Sequence, residues 1–206
     1  MEHRTVLQDS RTKLLDAALH VVRAKGYTAS TVDDICHEAG LTKGSFFHHF
    51  KSKEELALAA AGHFARRADE VFTAAPYQTL ADPLDRLLGY IAFRKAILRG
   101  SLPEYTCFLG TMVQETYETY PALRTACDEH ISAHAAAVAK DIKAAKRLYA
   151  PNAPWSAKGL GLYTQAVIQG AFILAKAKNG PRIAEECLTH LENYIEMLFN
   201  RSRTKE

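Results

Sequence analysis

Thr42, Lys43, Gly44 and Ser45 follow one another where a short helix should begin. Hydroxyl, basic and very small side chains at that place, over backbone N–H groups that point out of the helix end with a partial positive charge, suit contact with a phosphate backbone. Gly44 leaves room for such a backbone to come close. The segment from Leu41 to Lys53 reads LTKGSFFHHFKSK, with Lys43, Lys51, Lys53, His48 and His49 and no carboxylate, while Asp33, Asp34 and Glu38 lie just upstream. This compact basic edge stands out in a chain whose net charge is only +3, from 26 Lys and Arg against 23 Asp and Glu. A solvated helix cap is the bland reading of the same residues.

The elements that must position this edge are helical. Almost every segment of the 206 residues shows apolar residues at helical spacing, and no window alternates as a half-buried strand does. The sequence predicts an all-α fold of about nine helices. The first runs from about Ser10 to Lys25, burying Leu14, Leu15, Ala18, Leu19 and Val22, with Gly26 as a left-handed cap. Thr31 caps a second helix with Val32, Ile35 and Ala39 on its apolar stripe, and Gly40 ends it. Thr42 caps a third, which carries Phe46, Phe47 and Phe50. Ser52 and Glu55 form a capping box for a long fourth helix to about Ala74. Beyond Asp82-Pro83, prolines at 103, 121, 151, 154 and 181 divide the rest, with one helix from Pro121 to about Tyr149 and two from about Trp155 to Ala177 and Pro181 to Asn200.

Composition narrows the function classes. The chain is 48% hydrophobic and 24% charged, as ordinary globular proteins are. No apolar run approaches the ~20 residues of a membrane span, and the first residues carry no secretory leader, so a cytoplasmic protein without a membrane partner is expected. Cys36, Cys107, Cys127 and Cys187 show no CxxC pairing and read as reduced thiols. No GxSxG, phosphate-cradling loop or zinc spacing is present, which argues against an enzyme and against a cofactor. His130 and His134 are four apart, a metal-ligand spacing, but no HExxH accompanies them, and no metal is expected. Glu104, Glu115 and Glu118 read as helix surface charges.

Helix, Gly-containing turn and helix from Thr31 to Phe50 have the spacing of a DNA-binding helix-turn-helix. The runs TVDDI from Thr31, AGLTKGSFFHHF from Ala39 and SKEEL from Ser52 closely resemble the DNA-binding domain of TetR-family transcriptional regulators. The resemblance covers about the first 60 residues. It implies a helix-turn-helix domain over residues 1–55, an effector-binding and dimerisation domain over 56–206, and a homodimer that represses at a palindromic operator until a small molecule releases it. By position, it implies DNA contact at Thr31, Thr42, Lys43, Gly44 and Ser45, and a phosphate contact at Lys53. Phe47 stands where the family usually has tyrosine, keeping the ring without the hydroxyl. His48 and His49 are each candidates, but helix neighbours cannot both enter the groove. An activator of the same fold, or a helical protein-interaction module without sequence-specific DNA binding, is the alternative.

In the C-terminal portion, Ala184, Leu188, Leu191, Ile195 and Leu198 step by four and three, and Ala166, Gly170, Ala171 and Ala177 offer small residues for close approach. They read as a dimer seam or as burial within one chain. Tyr90, Phe93, Phe108, Met112, Trp155 and Tyr163, with Cys107 and Gln169, are candidates for an effector pocket or for plain core. Cys107, after the expected helix start at Pro103, is either a favoured thiolate or a buried inert thiol.

Overall fold

The computed structural model describes the backbone of residues 2–200 and the side chains of residues 10–200. Met1 and residues 201–206, which fall inside the expected domain limits, lie outside the described residues. Ten α-helices and one 3-10 turn follow one another without a strand among the described residues. They form two compact units, one of residues 1–70 with 106–130, the other of residues 71–105 with 131–206. The first unit thus takes in more of the chain than 1–55.

In the first unit, α1 (Glu2–Lys25) begins well before the expected Ser10. Leu14, Leu15, Ala18, Leu19 and Val22 are buried along one face, and Gly26, at φ 87°, turns the chain. α2 (Val32–Ala39) and α3 (Lys43–His49) are short, and α4 (Lys53–Thr73) opens with Leu56, Ala57, Ala60 and Ala61 buried. Ser52 Oγ accepts from Glu55 N at 3.1 Å, and the Glu55 carboxylate accepts from Lys51 N at 2.7 Å, one residue earlier than a regular capping box. α7 (Phe108–Thr116) also belongs to this unit, with the start of α8 (Pro121–Tyr149). Phe108 is fully buried, its ring 6.0 Å from that of Phe64. Arg23 Nη1 donates to Thr106 O at 3.3 Å.

The second unit holds the 3-10 turn Pro76–Thr79, α5 (Pro83–Ala96), α6 (Leu102–Tyr105), the rest of α8, α9 (Ala157–Ala177) and α10 (Arg182–Leu198). Asp82 starts α5 as expected, accepting from Leu84 N at 2.7 Å and Asp85 N at 3.2 Å. The region after Pro103 splits into α6 and α7 because Cys107 is extended and caps the second helix, Sγ accepting from Gly110 N at 3.4 Å. α8 and α5 are pinned by Arg86 and Asp141 at 2.7 Å, and α5 and α10 by Lys95 and Glu192.

The apolar row of α10 faces inward. Ala184, Leu188, Leu191 and Ile195 are buried within a single chain, where α10 packs on α9 and α5, and Leu198 is half-buried. At about 1.5–3 kcal/mol for each large aliphatic side chain, that burial already stabilises the single chain. The outward face of α9 differs. Leu162, Ala166, Gly170, Ile173 and Ala177 step by four, four, three and four, and all except half-buried Gly170 are exposed, Ile173 by 50%. A Cβ added at Gly170 would meet nothing within 4 Å.

Candidate nucleic-acid interface

Reciprocal capping builds the reading element. Thr31 is extended at φ −113°, its Oγ1 accepts from Asp34 N at 3.1 Å, and the Asp34 carboxylate accepts from Thr31 N at 2.8 Å and from its hydroxyl at 2.6 Å. Lys25 Nζ lies 2.7 Å from the same carboxylate. Together Lys25 and Thr31 hold Asp34 well below the usual carboxylate range. Gly40, at φ 63° and ψ 33°, lets α2 end in a left-handed turn, with Leu41 N donating to Cys36 O at 2.9 Å. Thr42 then caps α3, accepting from Ser45 N at 3.2 Å.

α3 divides cleanly between two faces. Phe46 and Phe50 are buried, their ring centroids 5.9 Å apart, and anchor the helix. Thr42, Lys43, Gly44 and His48 are exposed, Ser45 is half-buried, and Phe47 projects with 58% of its surface in solvent although its ring edge meets Phe46. A single exposed ring is ordinary on a protein surface, and this one has a shape suited to a groove wall or a thymine methyl. Lys43 Nζ sits 2.9 Å from Asp33, which raises its pKa. In water that pair contributes little to stability and can be exchanged for phosphate. A Cβ on Gly44 would meet only Thr42 Oγ1, at 3.6 Å, so nothing within the chain requires glycine there. His48 and His49 separate: His48 faces outward, while His49 is half-buried, its Nε2 sealed without a partner and its pKa lowered by burial, then by His48 and Arg11.

Lys53 is occupied inside the protein. Its ammonium donates to Tyr27 O at 3.0 Å and Ser30 O at 2.9 Å and lies 4.3 Å from the Tyr27 ring centroid. Burial lowers its pKa. This lysine closes the turn between α1 and α2, and two of its three donors are committed to that task.

Glu115, which reads from the sequence as a surface charge, instead supports the turn before α2. Its Oε2 accepts from Thr28 N at 2.7 Å, and its carboxylate occupies the space that a side chain on Gly26 would need. α7 is thereby latched to the turn that feeds α2. Only the glycine hints at this, because the partners stand 87 residues apart.

The expected effector residues are divided between the two units. Tyr90 and Phe93 join Phe72 and Tyr77 in an aromatic group of the second unit, with centroids 5.7–6.0 Å apart. Trp155 packs elsewhere, on Phe199 at 5.2 Å, under the Lys146 ammonium. Tyr163 is exposed beside Tyr194, and Gln169 is half-buried on α9. Cys107, Phe108 and Met112 belong to the first unit. Among the described residues no three His, Cys, Asp or Glu side chains group as metal ligands, and no helix is long and apolar enough to cross a membrane.

The profile described as "Bacterial regulatory proteins, tetR family" matches residues 14–60, and that described as "Transcriptional regulator LmrA/YxaF-like, C-terminal domain" matches residues 83–186, just over half the chain. The chain belongs to the TetR family of transcriptional regulators. The HTH-type transcriptional regulator YxaF of Bacillus subtilis is 26% identical over 168 residues, covering 81% of this chain and 85% of that one. The repressor KstR2 of Rhodococcus jostii is 48% identical over 46 residues, 22% of each chain. The match to YerO of Bacillus subtilis spans only 20% of that protein, at 33% identity over 28% of this chain. A TetR regulator from Chloroflexus aurantiacus superposes with TM-score 0.80 at 25% identity, over 93% of this chain and 96% of that one. A TetR-family regulator from Agrobacterium tumefaciens reaches 0.79 at 17%, over 91% and 98%. As a TetR-family regulator the chain carries its DNA-binding helix-turn-helix in α2 and α3, ahead of a helical C-terminal portion.

Proposed function

We propose that this TetR-family chain is a cytoplasmic repressor that binds a palindromic operator as a homodimer and releases it when a small molecule enters the C-terminal portion. One observation carries the reading: α3 is anchored by buried Phe46 and Phe50 while Thr42, Lys43, Gly44, Phe47 and His48 stand unobstructed on its outer face. We assign DNA contact to these residues with Ser45 and Thr31, within residues 1–55, and effector binding and dimerisation to residues 56–206. Lys53 takes a supporting part, because its two carbonyl bonds favour holding the reading element over gripping a phosphate.

One seven-residue helix discriminates poorly by itself. A two-fold pair places two such helices about 34 Å apart on successive turns of B-DNA. The exposed face of α9 around Ala166, Gly170 and Ile173 supports that pairing, with Met197 of α10 exposed by 66% on the neighbouring helix. Release then requires an effector that prefers a dimer whose reading helices no longer match the grooves, by roughly 1–3 kcal/mol or more. The Glu115 latch supports α7 as the element through which a shift reaches α2.

Selection of random duplexes by the purified protein at moderate salt, followed by sequencing, tests the reading. An enriched palindrome is the expected result. A folded dimer that enriches no sequence would refute it in favour of a helical interaction module.

A further inference from the structure

The second unit contains a cation surrounded by neutral partners. Arg94, half-buried on α5, lays its guanidinium 4.3 Å from the Phe72 ring centroid and 5.4 Å from that of Tyr90. Nε donates to the Tyr90 hydroxyl at 3.0 Å, and Nη2 donates to His134 Nε2 at 3.0 Å. The Tyr90 hydroxyl stands 3.0 Å from the same His134 nitrogen and accepts from Gln165 Nε2 at 3.1 Å. The partners are a phenol, an amide and an imidazole whose pKa is pushed down to about 3 by burial and then by Arg94. Among the described residues no carboxylate pairs with Arg94: Asp141 is committed to Arg86 and Glu192 to Lys95.

A guanidinium has five N–H donors in a planar fork. Arg94 spends its side edge, Nε with the adjacent hydrogen of Nη2, on Tyr90 and His134. Its end edge, Nη1 with the outer hydrogen of Nη2, meets no acceptor among the described residues, and Nη1 is not among the polar atoms sealed from solvent. Those two parallel N–H groups match the two oxygens of a carboxylate. The aromatic faces of Phe72 and Tyr90 strip part of the water from the guanidinium and offset that loss only in part. A carboxylate at the end edge restores the balance, and the rings of Phe72, Tyr77 and Phe93 supply apolar surroundings for its body. Because His134 stays neutral, the site offers one positive charge, which selects a monoanion over a phosphate dianion.

We propose that the end edge of Arg94 anchors the carboxylate of a small apolar acid, and that such acids are the effector class of this regulator. The second half rests on the release mechanism proposed above, and the first does not. Tyr90 and Gln165 act as positioning residues that hold the guanidinium in register.

Calorimetry on the full-length protein tests this with benzoate, 2-naphthoate and octanoate, each paired with its uncharged amide. At least one acid is expected to bind about tenfold or more tightly than its amide, and to keep that advantage when salt is raised. Arg94→Gln should abolish the preference. Arg94→Lys, which keeps the charge and loses the fork, should lose most of it. The unmodified protein alone is decisive: three acids that bind no better than their amides overturn the proposal, as does a preference that survives in a folded Arg94→Gln. Operator binding is measured in parallel. An acid that binds at Arg94 without releasing DNA refutes the effector role and leaves the anion site standing, whereas absence of any operator refutes the repressor reading alone.

Discussion

Lys43 stands in water at the start of α3, its side chain 60% exposed and 2.9 Å from an Asp33 exposed to a similar degree, whereas Arg94 lies half-buried against aromatic rings with uncharged partners only. The contrast shows how one charge serves two kinds of ligand. In high dielectric, attraction is weak and screened within about 10 Å at 0.1 M salt, so the reader proposed around Lys43 would work by adding many phosphate contacts and be sensitive to salt. Away from water, a single arginine can hold a single anion with little help from elsewhere, provided that its own orientation is fixed.

Burial is what separates the two settings, and its largest consequence lies in α10. Leu188→Ala should cost about 2–5 kcal/mol in denaturant unfolding. Ile173→Glu, on the exposed face of α9, should leave the unfolding of each chain nearly unchanged and shift the protein to monomer in analytical ultracentrifugation. Equal effects on stability would erase the distinction between the two faces.

Next in size is the acid response of the Arg94 group. His134 has a folded pKa of about 3 against 6.5 for the exposed residue. Between those values the unfolded chain binds the additional proton, so stability falls as pH falls and the loss is complete below pH 3. From pH 6.5 to pH 5 this amounts to about 2 kcal/mol, which His134→Gln should remove from the unfolding profile. An unchanged profile would mean that the imidazole is hydrated, which would also weaken the case for a partly desolvated arginine.

Lys53→Met should cost about 1–2 kcal/mol of stability through the lost bonds to Tyr27 O and Ser30 O, with little change in the salt dependence of DNA binding. Lys43→Ala is the smallest change and the mirror image. Unfolding should stay within about 0.5 kcal/mol, while the slope of log affinity against log salt falls by about 1 for each subunit.

What could be read from the sequence follows the reach of each interaction. Thr31, Thr42 and Asp82 bond to amides two or three residues away, and Gly26 and Gly40 mark the left-handed turns, so the helix starts and the reading element were legible from local spacing. The stripe of α10 told which face is apolar and could not tell whether the same chain or a second copy covers it. The Arg94 group escaped because only Arg94 and Tyr90 are neighbours on one helix. His134 comes from 40 residues further on, and Gln165 stands 75 residues beyond Tyr90. The same distance problem hid Glu115.

That latch also bears on how the protein is made. The unit that contains the reading helices needs residues 106–130 as well as 1–70. On the ribosome, at roughly 5–20 residues per second, the chain waits about 3–12 s after Glu70 is added before His130 follows. In the earlier part of that interval, until residues 108 and 115 are added, Phe64 lacks Phe108 and the Thr28 amide lacks its carboxylate. A nascent or truncated chain that stops near residue 60 therefore carries every residue proposed to contact DNA without the 106–130 part of its unit, and a chimeric regulator that borrows this reader should be more stable when residues 106–130 come with it.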